Sequence, residues 1–138
     1  MPALKFKLLT LRSITGDPAQ DQQQVAYTNL NYLKSITDDD PEILREMIGL
    51  FLLQVPDYIV NMNKYYREGQ YDLLSREAHK AKSSLDIVGM TDLGKEMKVL
   101  QLIILEGGDV KECLPYITIF EEQCKSAVLE LQSELNTL

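Results

Sequence analysis

The sequence predicts an all-α domain: an antiparallel up-and-down four-helix bundle, preceded by an additional short N-terminal helix and an N-terminal extension. Three observations predict it. Apolar residues recur at steps of three and four through most of the chain. No segment alternates as a strand would. Short breaks rich in Gly, Pro and Asp separate the helical patterns. The chain has 138 residues and is 45% hydrophobic, which suits one domain with a real core.

Residues 1–26 form the expected extension and residues 27–138 the bundle. In the extension, "LKFKLLTL" reads as a short helix or an extended segment, and "GDPAQDQQQ" is polar and turn-prone. The early apolar stretch is interrupted by Lys7, Thr10 and Arg12, which argues against a signal peptide. No apolar run approaches the ~20 residues of a membrane span.

The first helical pattern, "TNLNYLKSI", puts Leu30, Leu33 and Ile36 on one side. A long helix should then open with Asp40 as N-cap, Pro41 in the first turn and Glu42 near the positive end of the helix dipole. It is very apolar at its centre, should kink at Pro56, and should stop at Gly69. The next helix is expected from about Asp72 to Val88, ending at Gly89. Another opens at Thr91 and carries Leu93, Met97, Leu100 and Ile104 at helical spacing. Asp109 and Glu112 make a D-x-x-E start for the last helix, which bears Leu114, Ile117, Phe120, Cys124, Val128 and Leu131. Pro115 falls early in it, so the helix either bends there or begins there. Cys113 and Cys124, eleven residues apart on one helix, would stand roughly 16 Å apart, too far for a disulfide with each other. A reduced, cytoplasmic setting is the expectation.

The formal net charge of −7 argues against a grip on nucleic-acid phosphates or anionic lipid, because both need clustered Lys and Arg. It is compatible with docking another protein. "TDDDP" lacks the spaced oxygens and glycine of a calcium loop.

The chain's one histidine, His79, lies in "SREAHKAKSSLDIVGM". The apolar residues of that helix, Leu74, Ala78, Ala81, Leu85 and Val88, fall within roughly 40° of one line on a helical wheel. His79 lies about 140° from that line. Ser83 lies nearly opposite the core, and Ser75, Arg76 and Asp86 share the outer half. Lys82 sits at about 80°, on the flank next to the ring. The histidine should therefore point outward, either as an ordinary surface residue or as a functional one. Its neighbours favour function. Serines leave the ring uncovered, and Lys82 can neutralise an anion carried on it.

A metal site would have too few ligands on this face. A Ser-His-Asp triad fails because Ser83 and Asp86 share one helix surface with the ring and no nucleophile turn is present. Neither a phosphate loop nor a dinucleotide fingerprint occurs. Nucleophilic capture of a phosphoryl group by the imidazole fits best.

The stretch "EAHKAKSSLDIVGM" resembles the signature of histidine-containing phosphotransfer (HPt) domains, A-H-x-L-K-G-S-x-x-x-x-G, through Ala78, His79, Lys82, Ser84 and Gly89. "LFLLQVPDYIVNMNKYYREGQYDLLSREAHK" is similar to the family's kinked helix and turn leading into the histidine helix, and "MTDLGKEMKVLQ" to the helix that follows. The similarity runs from about residue 28 to the C-terminus. Two positions depart: Ala81 stands for a leucine, and Ser83 for a glycine that in the family gives a receiver domain room to reach the ring. Serine is small enough that docking is expected to survive.

The resemblance implies a phosphoryl carrier without a kinase or nucleotide site. His79 would accept a phosphoryl group from a receiver-domain aspartate and pass it to another receiver, with Lys82 stabilising the phosphoryl oxygens. Ser75, Arg76, Lys80, Ser83 and Asp86 would orient the partner. No cofactor is implied, since Mg²⁺ belongs to the receiver. The implied partners are response-regulator receivers and a hybrid sensor histidine kinase, and the implied state is a monomer. The alternative is a non-catalytic helical adapter for receivers or kinases, which would not need both His79 and Lys82.

Overall fold

The computed structural model describes residues 26–138, and among them every regular element is helical. The expectations for "LKFKLLTL" and "GDPAQDQQQ" lie outside the described residues. Five α-helices follow in order: α1 (Asn31–Ile36), α2 (Pro41–Arg67), α3 (Tyr71–Ile87), α4 (Thr91–Leu105) and α5 (Leu114–Thr137). A 3₁₀ turn, Val110–Cys113, precedes α5. No described helix is long and apolar enough to cross a membrane.

Helix α1 opens on an Asn29 side chain that accepts from the Asn31 N–H at 3.0 Å. Leu30 and Leu33 are buried as expected, but Ile36 is 54% exposed. The helix ends at Ile36 and the chain turns away through Asp38 and Asp39, both left-handed at φ 51° and 58°. Aspartate tolerates that conformation better than most residues. Asp40 then caps α2, accepting from the Glu42 and Ile43 N–H groups at 3.0 and 3.4 Å. Helix α2 runs through Pro56 and buries Leu44, Ile48, Phe51, Val55, Tyr58 and Met62, at alternating steps of four and three. Gly69 ends it at φ 70°.

Helix α3 packs on α2 and on α4, while α5 packs on α2 and α4. The buried residues of α2, α3, α4 and α5 form one continuous core. Several details of the last helix differ from the expectation, and Leu114, at its first position, is 45% exposed. Asp109 does cap, but it caps the 3₁₀ turn, accepting from Lys111 N–H at 3.0 Å. An α-helix running on from there would need an N–H at Pro115 to bond the Lys111 carbonyl, and proline has none. The α-helix therefore restarts at Leu114, with Pro115 in the first turn, where a missing donor costs nothing. The core face of α5 uses Ala127 where the spacing suggested Val128, which is half-buried. Cys113 and Cys124 are both buried and free, on different elements.

Candidate functional site

The site is built on α3. Its inner face is Leu74, Ala78, Ala81 and Leu85, all buried. The two alanines let α3 sit close against its neighbours. On the outer face Arg76, His79, Lys80 and Ser83 are exposed, as the wheel requires. No described residue donates to or accepts from the His79 ring, so the imidazole is open to an incoming group.

Ser75 is a correction. Expected on the outer half, it is only 5% exposed. It stands one heptad before Lys82 and so shares its flank, the side of α3 that packs toward α4. Lys82 and Asp86 mark that side: a Cβ added to Gly94 of α4 would lie 2.7 Å from Asp86 Oδ1 and 3.5 Å from Lys82 Cγ. Helix α4 thus covers the flank more fully than a wheel of α3 alone suggests. Ser75 cannot meet a docking protein.

Lys82 is not waiting free beside the ring. Its ammonium is 2.9 Å from Asp86 Oδ2, with the two side chains 32% and 39% exposed. An ion pair this open to water contributes at most about 1 kcal/mol. The lysine can therefore turn to another anion at little cost. Lys80 lies on the other flank, 3.1 Å from Glu77, and that contact raises its pKa.

Several residues of the site carry no signal in the spacing. Glu77 is 3% exposed and lies between Lys80 and Asn61 of α2, whose Nδ2 donates to it at 2.9 Å. Ser84, matched in the motif, is bonded to Tyr58 Oη at 2.8 Å and donates to Gln54 Oε1 at 3.1 Å, both on α2. These polar contacts join the back of the histidine helix to α2. Gly94 is another: its missing side chain is what lets α4 approach the Lys82–Asp86 pair. The motif marks Ser84; the others needed a partner-helix signal, read jointly with α3.

Gly89 closes α3 at φ 78°. The Met90 N–H donates to the Leu85 carbonyl at 2.9 Å, the closing bond of a glycine-ended helix. Beyond the turn, Asn29 N–H donates to the Val88 carbonyl at 2.9 Å. The segment leading into α1 therefore crosses the end of the histidine helix. One turn beyond His79 an open groove begins, lined by Ser83, Asp86 and Ile87 of α3, Thr91, and Asn31 and Tyr32 of α1.

Among the described residues no group of three or more His, Cys, Asp or Glu side chains could hold a metal ion. Comparison with curated proteins and with solved structures finds no match to this chain. Comparison with family models finds a match to the Hpt domain over residues 46–138. The match begins inside α2 and spans the whole of α3, α4 and α5, so α1 and the first turn of α2 lie outside it. It covers most of the chain, His79 and its helix included, and the chain belongs to the Hpt domain family, whose members carry phosphoryl groups in phosphorelays and interact with receiver domains.

Proposed function

We propose that this chain is a histidine phosphotransfer protein of a two-component phosphorelay, with His79 as its phosphoryl acceptor. The observation that carries the reading is the exposed, unbonded imidazole of His79 on a helix held from behind by both apolar and polar contacts. The scaffold in this reading is an antiparallel up-and-down bundle over residues 27–138, working as a cytoplasmic monomer.

The step is an in-line displacement. A lone pair on an imidazole nitrogen attacks the phosphorus of a receiver's aspartyl phosphate. The N–P bond forms as the P–O bond to aspartate breaks, and the electron pair returns to the receiver carboxylate. Onward transfer to a second receiver runs the same displacement in reverse. Little covalent chemistry is left for the carrier, so positioning and charge neutralisation supply the rate. Lys82 would leave Asp86 to meet the phosphoryl oxygens. Arg76, Lys80, Ser83 and Asp86 would face the partner. Mg²⁺ would come with the receiver, and a hybrid sensor kinase would stand upstream.

The test is to mix the protein with a phosphorylated receiver and look for acid-labile, alkali-stable label. Wild type should take label and His79→Gln none. Label on His79→Gln would move the site elsewhere. No label on wild type from any receiver would defeat the relay reading and leave the helical adapter.

A further inference from the structure

The groove that begins one turn beyond His79 has a wall that the family match does not include. That wall is α1, six residues long. A helix of this length has no stability of its own in water, so its place must be set by tertiary contacts. Leu30 and Leu33 sit in the core, and Asn29 is bonded to Val88. The remaining tie comes from far along the chain. Glu130, on α5, accepts from the Tyr27 N–H at 2.9 and 3.1 Å, from the Thr28 N–H at 3.0 Å and from the Thr28 hydroxyl at 2.8 Å.

Among the described residues Glu130 has no Lys or Arg partner. Its charge is met by these donors, and bonds to a carboxylate are about twice as strong as neutral ones. The carboxylate holds the entry to α1, and α1 in turn presents Asn31 and a Tyr32 that is 57% exposed. These two face Ser83 and Asp86 across the groove, and Ser83 follows His79 by one helical turn on the same outer face. A groove that begins one turn from His79, lined by Ile87, the exposed Tyr32, the uncharged Asn31, Ser83 and Thr91 and one charged side chain, Asp86, fits a protein surface.

We infer that Glu130 is a positioning residue for partner docking: it clamps residues 27 and 28 so that α1 stands as one wall of the receiver's seat beside His79. The inference rests on the relay reading. It assigns Glu130 an effect on the affinity for the phosphorylated receiver, with the chemistry of the ring untouched.

The experiment compares wild type, Glu130→Ala and Glu130→Gln with two phosphodonors, a phosphorylated receiver and phosphoramidate. Phosphoramidate is small and needs no docking wall. Loss of the clamp should raise the half-saturating receiver concentration about tenfold in Glu130→Ala, the equivalent of one charged hydrogen bond, with the maximal rate unchanged. Glu130→Gln keeps one acceptor oxygen and should fall between. Labelling by phosphoramidate should stay within about twofold, since positioning the receiver is not at issue there. Hydrogen exchange at the Tyr27 and Thr28 amides should accelerate in Glu130→Ala.

An unchanged half-saturation would overturn the inference. So would an equal loss with phosphoramidate, which would mean that Glu130 acts on the fold or the ring. Unchanged exchange at the two amides would remove the clamp itself. If wild type takes label from phosphoramidate but from no receiver, the relay reading falls and the groove loses its occupant, while the exchange measurement still decides the clamp.

Discussion

Gly89→Ala should damage this protein far more than the same change at a glycine of nearly identical backbone conformation. Gly89 and Gly107 both end helices in the left-handed region, at φ 78° and 72°. An alanine at either position carries the strain of an L-residue there, about 1–2 kcal/mol. They differ in what stands nearby. At Gly107 an added Cβ meets nothing within 4 Å. At Gly89 it would lie 2.1 Å from the Asn29 carbonyl oxygen, 2.7 Å from its nitrogen and 2.8 Å from its carbon. Carbon–oxygen contacts ordinarily begin at about 3.3 Å, so one backbone must retreat by about 1 Å. That retreat breaks the Asn29–Val88 bond, about 1 kcal/mol, and lifts part of Leu30 out of the core, about 1–2 kcal/mol. The two variants should therefore differ by about 2–3 kcal/mol. Urea titration followed by far-ultraviolet circular dichroism measures both midpoints. Equal losses at the two positions would show that the close approach of Asn29 carries no energy.

Lys82→Ala should slow receiver-to-His79 transfer by roughly a hundredfold to a thousandfold, the scale of one charge-stabilising donor, while changing stability by at most about 1 kcal/mol because the ion pair is exposed. Asp86→Asn, which frees the ammonium, should transfer at least as fast as wild type; an unaltered rate in Lys82→Ala removes the assigned role. Burial pushes the Cys124 thiol up to about 12. In the unfolded chain it titrates near its ordinary value, so between about pH 9 and pH 12 the unfolded state holds fewer protons and stability must fall as pH rises, by up to about 1.4 kcal/mol per pH unit. Urea midpoints from pH 8.5 to 10.5 should therefore drop more steeply for wild type than for Cys124→Ala; parallel slopes would refute the burial argument.

The outward setting of His79 was legible from one helix, because the apolar stripe of Leu74, Ala78, Ala81 and Leu85 fixes which way the opposite face points. So were the cap at Asp40 and the stop at Gly69, which depend on residues within one turn. What could not be read from α3 alone was the width of the neighbour lying on it. Ser75 was misplaced because α4 reaches farther around the helix than the stripe suggests. Glu77 lies about 60° from the apolar line, on an inner flank, but nothing nearby in the chain announces its partner Asn61, sixteen residues earlier. Glu130 is more distant still: its partners, Tyr27 and Thr28, lie about a hundred residues away. The motif letter Gly89 was recognisable in the sequence, but its reason, the backbone of Asn29, was not.

The polar contacts behind α3 have a consequence for rotation about the helix axis. A smooth apolar seam with two alanines resists separation, yet resists rolling only weakly, because hydrophobic burial is non-directional. The Asn61–Glu77 and Tyr58–Ser84 bonds are directional, and they leave α3 one azimuth. At a side-chain radius of about 6 Å, a roll of 20° would swing the imidazole by roughly 2 Å. In-line attack tolerates far less, since a misplacement of about 1 Å can cost about a hundredfold in rate. The acid and the serine hidden on α2's side act as a detent, holding the ring at one bearing while its outer surface stays bare.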